Sequence, residues 1–413
     1  MSNIKKLGDC IDLVLDYRGK TPKKMGSDWK DDGYRVISAN NVHNGLLTDE
    51  NEIRCVDEET YNKWMKNPVK KGDILLASEG ATLGESLYWD SDEKIVLGQR
   101  LYAIRTNGKV LDAKYLSMYM RTDTFKSTIS SMSTGSTVFG VSQKDLMNIE
   151  IIVPEIEVQR EIGELKYLID KKIITNNKLI EKLNNYIRSI YNQWFVQYEF
   201  PDEYGKPYKS LGGEFVEVSD FNYKIPKNWI IRNMLDLVKW EGTSQPPKSC
   251  FIYEPKDNYI RFIQNRDYSD GKHKTFIPVN KALGICNELD ILMDKYGDAG
   301  RTRFGLSGAY NVALAKITPF DSNHREFLRC YLSSDYVYKY LHESSMASTR
   351  ASLNENNISY LKVVIPPVYL LKKFNEITIP IVKEIINIKN QSEQLVNIHD
   401  YIMPLLMVEQ VTI

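Results

Sequence analysis

Short apolar runs separated by clusters of glycine, asparagine and aspartate recur along most of the chain. Four of these runs, at 34–39, 73–77, 101–105 and 149–153, have the length of strands. One helix is predicted at 112–130 and another at 324–343. The pattern therefore predicts an α+β fold, built from domains that are mixed but rich in strands.

The second half of the chain repeats the plan of the first half. Three segments return in the same order: 34–41 as 259–266, 72–76 as 289–293, and 151–154 as 363–366. Such self-similarity predicts two similar domains, each closed by a strand that ends in proline and followed by a long helix. The predicted boundaries are 1–153 for the first domain, 154–200 for its helix, 201–224 for a polar connector, 225–366 for the second domain and 367–413 for its helix.

The two long helices carry apolar residues at heptad spacing. In the first helix the a-type positions are Ile162, Ile169, Asn176, Leu183 and Ile190, and the d-type positions are Leu165, Lys172, Leu179, Tyr186 and Gln193. In the second helix the a-type positions are Phe374, Ile381, Ile388, Leu395 and Ile402, with Ile377, Ile398 and Leu405 at d-type positions. Two matched seams predict an antiparallel coiled-coil pair within a pseudo-two-fold repeat. The alternative is that each helix packs on its own domain.

Individual residues of these helices have structural and functional interpretations. Asn176 at an a-type position favours a role in fixing register over a contact with a partner protein. Trp194 and Phe195 favour the core over a docking surface. Pro380 is expected to kink the second helix locally, and Pro404 is expected to end it.

Charge and cysteine content limit the class of protein. The chain has 54 basic and 54 acidic residues, so charge gives no support to a nucleic-acid binder. Its five cysteines are odd in number, scattered and without a CxxC pair, which indicates free thiols in a reducing compartment. No run of 18 apolar residues is present, and no apolar signal-peptide core follows the first lysines. We therefore expect a cytoplasmic protein without a membrane anchor.

Motifs for catalysis are missing from the sequence. It contains no GxxxxGK[ST] phosphate loop, no HExxH or CxxC metal spacing, and no Asn/Asp-Pro-Pro-Tyr/Phe motif of adenine methyltransferases. We therefore expect no catalytic residues, no metal and no cofactor.

The region between the two halves resembles a known family. The segment Tyr191–Pro201, the following Gly205, Pro207 and Tyr208, and Ile225–Trp229 are similar to the central conserved region of specificity subunits of type I restriction-modification enzymes. The resemblance covers the chain in the order domain, helix, domain, helix. It implies a non-catalytic subunit of a phage-defence system, in which each domain is a target recognition domain that reads half of a split double-stranded DNA target. It also implies that the helices space the readers and dock two methyltransferase subunits, and that motor-nuclease subunits join for cleavage.

Base reading needs Arg, Lys, Asn or Gln on loops that can enter the major groove, and hydroxyl groups can bind phosphate. The candidates in the first domain are Arg18, Lys20, Asn40, Asn41, Thr82, Ser136 and Thr137. The candidates in the second domain are Gln245, Lys248, Gln264, Asn265, Arg266, Arg301, Arg303, Thr349 and Arg350. Each of these residues has an alternative interpretation as a turn former or solvated surface residue.

Two other classes of function stay open at this point. One is a scaffold or adaptor that binds only proteins. The other is a nuclease or methyltransferase with degenerate motifs. The repeated domains with loop-borne Arg, Asn and Gln favour the DNA reader over both.

Overall fold

The computed structural model describes residues 3–132, 139–202, 204–218, 224–269, 274–346 and 352–407. The chain divides into two compact units. Unit 1 contains residues 1–173 together with 395–413, and unit 2 contains residues 174–394. Each of the two longest helices contributes residues to both units.

Unit 1 is built around a four-stranded antiparallel sheet. Its strands are β1 (Asn3–Lys6), β2 (Ile11–Asp16), β3 (Tyr34–Ile37), β4 (Val42–His43), β5 (Leu46–Leu47), β6 (Cys55–Val56), β7 (Ile74–Ala77), β8 (Ser86–Tyr88), β9 (Val96–Leu97), β10 (Leu101–Thr106) and β11 (Glu150–Val153). Its helices are α1 (Glu58–Trp64), α2 (Ala113–Tyr119), α3 (Asp123–Met132), α4 (Gln143–Met147) and the first part of α5 (Ile156–Tyr191). The main sheet has the order β2-β10-β7-β8, and the smaller sheets are β6-β3-β9, β1-β11 and β4-β5.

The central strands of this sheet are buried on both faces. Ile74 and Leu76 of β7 point into one apolar cluster, whereas Leu75 and Ala77 point into another. Successive side chains of a strand alternate between its faces, so a continuous apolar run is expected where both faces are covered. This is why residues 74–77 of the predicted strand form an unbroken apolar run.

Unit 2 contains a sheet of the same order. Its strands are β12 (Phe215–Glu217), β13 (Lys224–Pro226), β14 (Ile230–Asn233), β15 (Val238–Glu241), β16 (Tyr259–Ile263), β17 (Phe276–Pro278), β18 (Ile285–Cys286), β19 (Ile291–Asp294), β20 (Thr302–Arg303), β21 (Gly308–Tyr310), β22 (Leu314–Pro319) and β23 (Lys362–Ile365). Its helices are α6 (Arg325–Leu332), α7 (Asp335–Met346), α8 (Glu355–Ser359) and most of α9 (Val368–Met407). The order β15-β22-β19-β20 corresponds strand for strand to β2-β10-β7-β8, and the other sheets are β17-β16-β21-β18, β14-β23 and β12-β13.

The four strands predicted from apolar runs are confirmed as β3, β7, β10 and β11. The prediction of single helices at 112–130 and 324–343 is wrong, because each segment folds as two helices, α2 with α3 and α6 with α7. A hydroxyl residue stands at each break. Thr122 accepts a hydrogen bond from the backbone N–H of Phe125 at 3.3 Å, and Ser334 accepts one from that of Val337 at 3.4 Å. Such hydroxyl groups satisfy the free N–H groups at the start of a new helix.

Half of the heptad assignment in the long helices is wrong. The a-type residues Ile162, Ile169, Asn176 and Ile190 are buried, as predicted. In α5 the assigned d-type residues from Lys172 onward are exposed, and the inner face continues four residues after each a-type position instead, at Lys166, Ile173, Ile180 and Ile187. Thr378 and Ile385 of α9 are likewise fully buried four residues after a-type positions. Polar members of this second stripe, such as Lys166 and Thr378, hid it from a search for apolar residues.

Both prolines of α9 lie within the helix. The helix runs without a break from Val368 to Met407, so the prediction that Pro404 ends it is wrong. A proline removes one backbone hydrogen bond from a helix, and α9 continues past this loss at both positions.

The central residues of the long helices have structural roles. Asn176 is 1% exposed, and in unit 2 its amide donates to Gln391 Oε1 at 3.1 Å and to Ser392 Oγ at 2.9 Å. Phe195 lies against Phe374, with 5.0 Å between the ring centres, and Trp194 is also buried in the core of unit 2. The preferred structural interpretation of all three residues is therefore confirmed.

Candidate nucleic-acid interface

A capped turn follows β3 in unit 1. Asn41 is buried, and its Oδ1 accepts hydrogen bonds from the backbone N–H of Ser38 at 3.0 Å and from Ser38 Oγ at 2.9 Å. Its neighbour Asn40 is exposed, and only its backbone carbonyl is bonded, to His43. The turn thus uses the Asn41 side chain to hold its shape and leaves the Asn40 side chain open to solvent.

The same kind of turn follows β16 in unit 2. Gln264 and Asp267 form its cap, in which Asp267 Oδ2 accepts the backbone N–H of Gln264 at 3.0 Å. Gln264 also donates to Thr275 Oγ1 at 3.1 Å, and the amide of Asn265 points to the Tyr296 carbonyl at 3.5 Å. The side chain of Arg266 is 54% exposed. Arg266 is therefore the most open of the three candidates in this turn.

The pairing of the strands before these two turns shifts the predicted match between 34–41 and 259–266 by one residue. Ile37 pairs with Leu97 in a parallel bridge, and Ile263 pairs with Tyr310 in the same way. Ser38 consequently corresponds to Gln264, and Asn40 corresponds to Arg266 rather than to Asn265. Both equivalent positions are exposed, whereas the capping positions Asn41 and Asp267 are buried.

Two cationic candidates of unit 1 are held by internal contacts. Arg18 donates through Nε and Nη2 to the carboxylate of Asp16, both at 2.9 Å, and through Nη1 to Glu79 at 2.6 Å. Burial lowers the pKa of Arg18, but the bonded carboxylates raise it above its ordinary value. Lys20 donates to the Trp64 carbonyl at 3.1 Å, and burial lowers its pKa. Both side chains therefore stabilise the loop that follows β2.

The glycine-flanked loop of unit 2 is also paired internally. Arg303 donates from Nη2 at 2.8 Å and from Nε at 3.1 Å to Oδ2 of Asp294, a side chain that is 1% exposed. Arg301 donates to Asp298 at 2.8 Å and lies 4.4 Å from the ring centre of Tyr338, but it is 49% exposed. Arg303 thus neutralises a buried carboxylate, and Arg301 is the more accessible of the pair.

The other candidates lie on loops. Thr82 is half-buried in the loop between β7 and β8, and Gln245 and Lys248 are exposed before β16. The remaining four candidates lie outside the described residues: Ser136, Thr137, Thr349 and Arg350.

Three polar residues near the candidates of unit 1 were missed in the sequence. The guanidinium of Arg54 lies 4.0 Å from the ring centre of Trp29. Gln99 accepts the backbone N–H of Gly19 at 3.2 Å and donates to the Lys20 carbonyl. Arg100 is exposed and has a positive φ of 60°, a strained conformation that is frequent at functional sites. The sequence Gly98-Gln99-Arg100 lies between two apolar runs, and this pattern could have identified Gln99 and Arg100 as candidates on a loop.

The tertiary structure brings several of these residues to one cleft. Lys20, Asn40 and Asn41 of the predicted set line it together with Arg54 and Gln99, and its volume is about 250 Å³. Thr82 and Arg18 are not part of its lining.

The described part of the chain has neither a cluster of metal-ligating side chains nor a membrane-spanning helix. No cluster of three or more His, Cys, Asp or Glu side chains suited to a metal occurs in it. None of its helices has the length and apolarity needed to span a membrane.

Comparisons with known proteins show similarity to one family. Residues 2–185 match the family model described as type I restriction modification DNA specificity domain. The type I restriction enzyme MjaIX specificity subunit of Methanocaldococcus jannaschii is 24% identical over 316 residues, covering 71% of this chain and 68% of that protein. The HindI specificity subunit of Haemophilus influenzae is 20% identical over 409 residues, covering 83% and 87%.

A solved structure has the same fold. The crystal structure of the type I restriction-modification system S subunit from M. genitalium superimposes with a TM-score of 0.66 at 15% identity, over 98% of this chain and 96% of that one. The first part of the chain is therefore a DNA specificity domain of the type I restriction-modification class. Over most of its length the chain is similar in sequence to the specificity subunits of type I restriction enzymes named above.

Proposed function

We propose that this specificity subunit reads a two-part DNA target, with domain 1–153 reading one part and domain 225–366 the other. The observation that carries the proposal is the repeated architecture: the sheet order β2-β10-β7-β8 returns as β15-β22-β19-β20, and a capped turn follows β3 and β16 alike. Two readers that differ in their exposed side chains suit a target whose two parts differ in sequence.

The exposed residues of the capped turns are the first candidates for base contacts. Asn40 and Arg266 occupy equivalent positions, and they are the residue types that pair with adenine and guanine, respectively. A turn held by its own cap presents such a side chain at little entropic cost. The other loop residues predicted from the sequence complete the proposed surfaces, with Arg18, Lys20, Asn41 and Arg303 as supports.

The long helices, in this proposal, form the antiparallel pair of a pseudo-two-fold repeat and set the distance between the readers. A helix of 36 residues such as α5 is about 54 Å long at 1.5 Å per residue. Its outer surface carries the exposed apolar side chains Leu168, Leu179 and Tyr186, which suit the docking of two methyltransferase subunits. Motor-nuclease subunits join that complex for cleavage, and this chain itself performs no catalysis.

The partners also supply affinity for DNA. Because the chain carries 54 basic and 54 acidic residues, its own attraction to the phosphate backbone is weak. Sequence reading by this chain and electrostatic binding by the assembled complex are thus separate contributions. We place the complex in the cytoplasm, where the DNA lies and where the five free cysteines stay reduced.

Methylation mapping tests the proposal. Cells that express the chain with its methyltransferase subunits should carry methylated adenines in a single two-part, asymmetric sequence. Asn40→Ala should relax the sequence requirement in one part of the target only, and Arg266→Ala in the other part only. Each lost contact should reduce discrimination by about 1–3 kcal/mol.

Lys109→Ala is the matched control. Lys109 is exposed in the turn that follows β10, whereas Gln99 of the cleft precedes this strand. This variant should leave both parts unchanged. Loss of both parts in either single variant would contradict the division of labour between the domains. Absence of any sequence-specific methylation would favour the protein-only scaffold instead.

A further inference from the structure

The cleft of unit 1 contains an arginine whose side chain is not bonded to a carboxylate of the described residues. Most arginines of this unit donate to carboxylates: Arg18 to Asp16 and Glu79, Arg35 to Glu50 and Glu93, Arg105 to Asp73, and Arg121 to Asp170. The side chain of Arg54 has no hydrogen bond or ion pair with any residue that the structure describes, and only its backbone carbonyl accepts a bond, from Val36. Its guanidinium is exposed and rests on the ring of Trp29.

This stacking prepares Arg54 for a ligand. A guanidinium that lies over an aromatic ring keeps donors free for a ligand and has lost part of its conformational freedom already. The five donors of such a fork match two adjacent acceptors in one plane. Arg54 is therefore preorganised to bind a planar acceptor pair and not merely to be solvated.

A second donor without a partner belongs to a tryptophan of the lining. Trp64, which lines it, is 1% exposed, and its Nε1 has no hydrogen-bond partner among the described residues. An indole N–H is a donor only, and leaving it unpaired in a buried position is unfavourable. Gln99, in contrast, already uses both ends of its amide. Of the donors in these lining residues, the exposed guanidinium of Arg54 is therefore the one that a ligand can reach.

A carboxylate in the lining favours a base over a phosphate as the ligand of Arg54. Glu52 lines the cleft near Arg54, is exposed, and has no side-chain partner within the described ranges. A carboxylate repels a phosphate group, but it accepts a hydrogen bond from the amino group of cytosine. Arginine binds O6 and N7 of guanine, so Arg54 and Glu52 together complement the major-groove edge of a G·C pair. At about 250 Å³ the cleft is smaller than the roughly 300–1,000 Å³ pockets of small-molecule ligands.

We propose that this cleft is a specificity-determining site for a G·C pair, in which Arg54, stacked on Trp29, reads the guanine of the target part bound by the first domain. The inference rests on the proposed function and extends it, because it names the base pair and a residue outside the predicted set. It requires a G·C pair within that part of the target.

The test uses the full chain in complex with its methyltransferase subunits. Methylation mapping defines the target of the parent complex. Competition binding then compares the target duplex with duplexes in which each G·C pair of the first part is replaced by A·T, or each guanine by 7-deazaguanine, which lacks the N7 acceptor. The parent should lose roughly 10- to 100-fold in affinity at one position, and Arg54→Ala should remove that preference.

Arg54→Lys separates base reading from phosphate binding. Lysine keeps the charge but not the planar fork, so a base reader loses discrimination in Arg54→Lys much as in Arg54→Ala. Lys109→Ala removes one exposed positive charge elsewhere in the unit and should keep full discrimination. Because Arg54 is exposed, all variants should melt at the temperature of the parent.

The outcomes distinguish two kinds of failure. If the parent complex methylates no two-part target, the proposed function is wrong, and this inference with it. If the parent is specific but Arg54→Ala keeps the same preference at every G·C pair, only the inference is wrong. A uniform loss of affinity with a smaller salt dependence would make Arg54 a phosphate contact and would also overturn it.

Discussion

Replacement of Arg303 by alanine should destabilise unit 2 rather than alter the DNA sequence that is read. Arg303 is a predicted base reader, yet both of its hydrogen bonds go to Asp294, whose side chain is 1% exposed. Removing one partner of a buried ion pair costs about 3–5 kcal/mol. Because Arg303 itself is 21% exposed, we expect a value near the lower limit, about 3 kcal/mol. For a unit of this size that corresponds to a fall of roughly 6–12 °C in Tm.

The loss of stability should depend on pH. Burial raises the pKa of Asp294 above its ordinary value of 3.8, although Arg303 lowers it. A carboxyl group with a raised pKa stabilises the fold below pH 3.8, and that contribution is lost as the pH rises through the folded-state pKa. Without Arg303 this pKa rises further. The penalty of Arg303→Ala should therefore be complete at pH 7.5 and smaller at pH 5.

Urea unfolding of the parent and of three variants at these two pH values measures the effect. Asp294→Asn combined with Arg303→Ala removes the buried charge and should recover part of the stability at pH 7.5. Arg301→Ala should cost only about 0–1 kcal/mol, because Arg301 is 49% exposed. An Arg303→Ala variant of normal stability that relaxes one part of the target would refute this reasoning and restore Arg303 as a base reader.

Two further predictions concern the helix pair and the binding of DNA. Asn176→Ala should lower the free energy of unfolding by about 1–3 kcal/mol, because it leaves Gln391 and Ser392 without their donor, whereas the exposed neighbour Asn177→Ala should change it little in the same urea titration. A normal Asn176→Ala would mean that these bonds do not stabilise the helices. Because its net charge is zero, the chain without its partners should lose only about tenfold in DNA affinity between 50 and 200 mM salt. Fluorescence anisotropy with a labelled duplex measures this loss. A steeper dependence of affinity on salt would mean that many phosphates are bound.

The strands and the repeat were accessible from the sequence because they depend on local pattern. A strand buried on both faces, such as β7, must be an apolar run, and the repeated strand-proline-helix ending marks the close of each half. The breaks between α2 and α3 and between α6 and α7 were not predicted. A hydroxyl residue within a helical pattern caps a new helix only when the chain turns there, and the turn depends on packing.

Tertiary contacts decide which candidate residues at the proposed interface are exposed and which are held within the protein. The residue type alone does not distinguish Asn40, which is exposed, from Asn41, which caps its turn. Arg18 and Arg54 are equally suitable base readers by type, but the carboxylates of Asp16 and Glu79 engage the first and a tryptophan ring supports the second. Partners such as Glu79 for Arg18 lie tens of residues away in sequence, so their pairing cannot be inferred from spacing.

By itself the sequence indicated the resemblance to specificity subunits, the predicted repeat of the two halves and the positions of the long helices, because these depend on motifs and on periodicities set by backbone geometry. Only the tertiary structure decided which face of each helix is buried, since polar residues such as Lys166 and Asn176 share the inner face with isoleucines. It also decided which cations are free. A charged side chain that folds onto a carboxylate has its hydrogen-bonding capacity used within the protein, and one that does not can be offered to DNA.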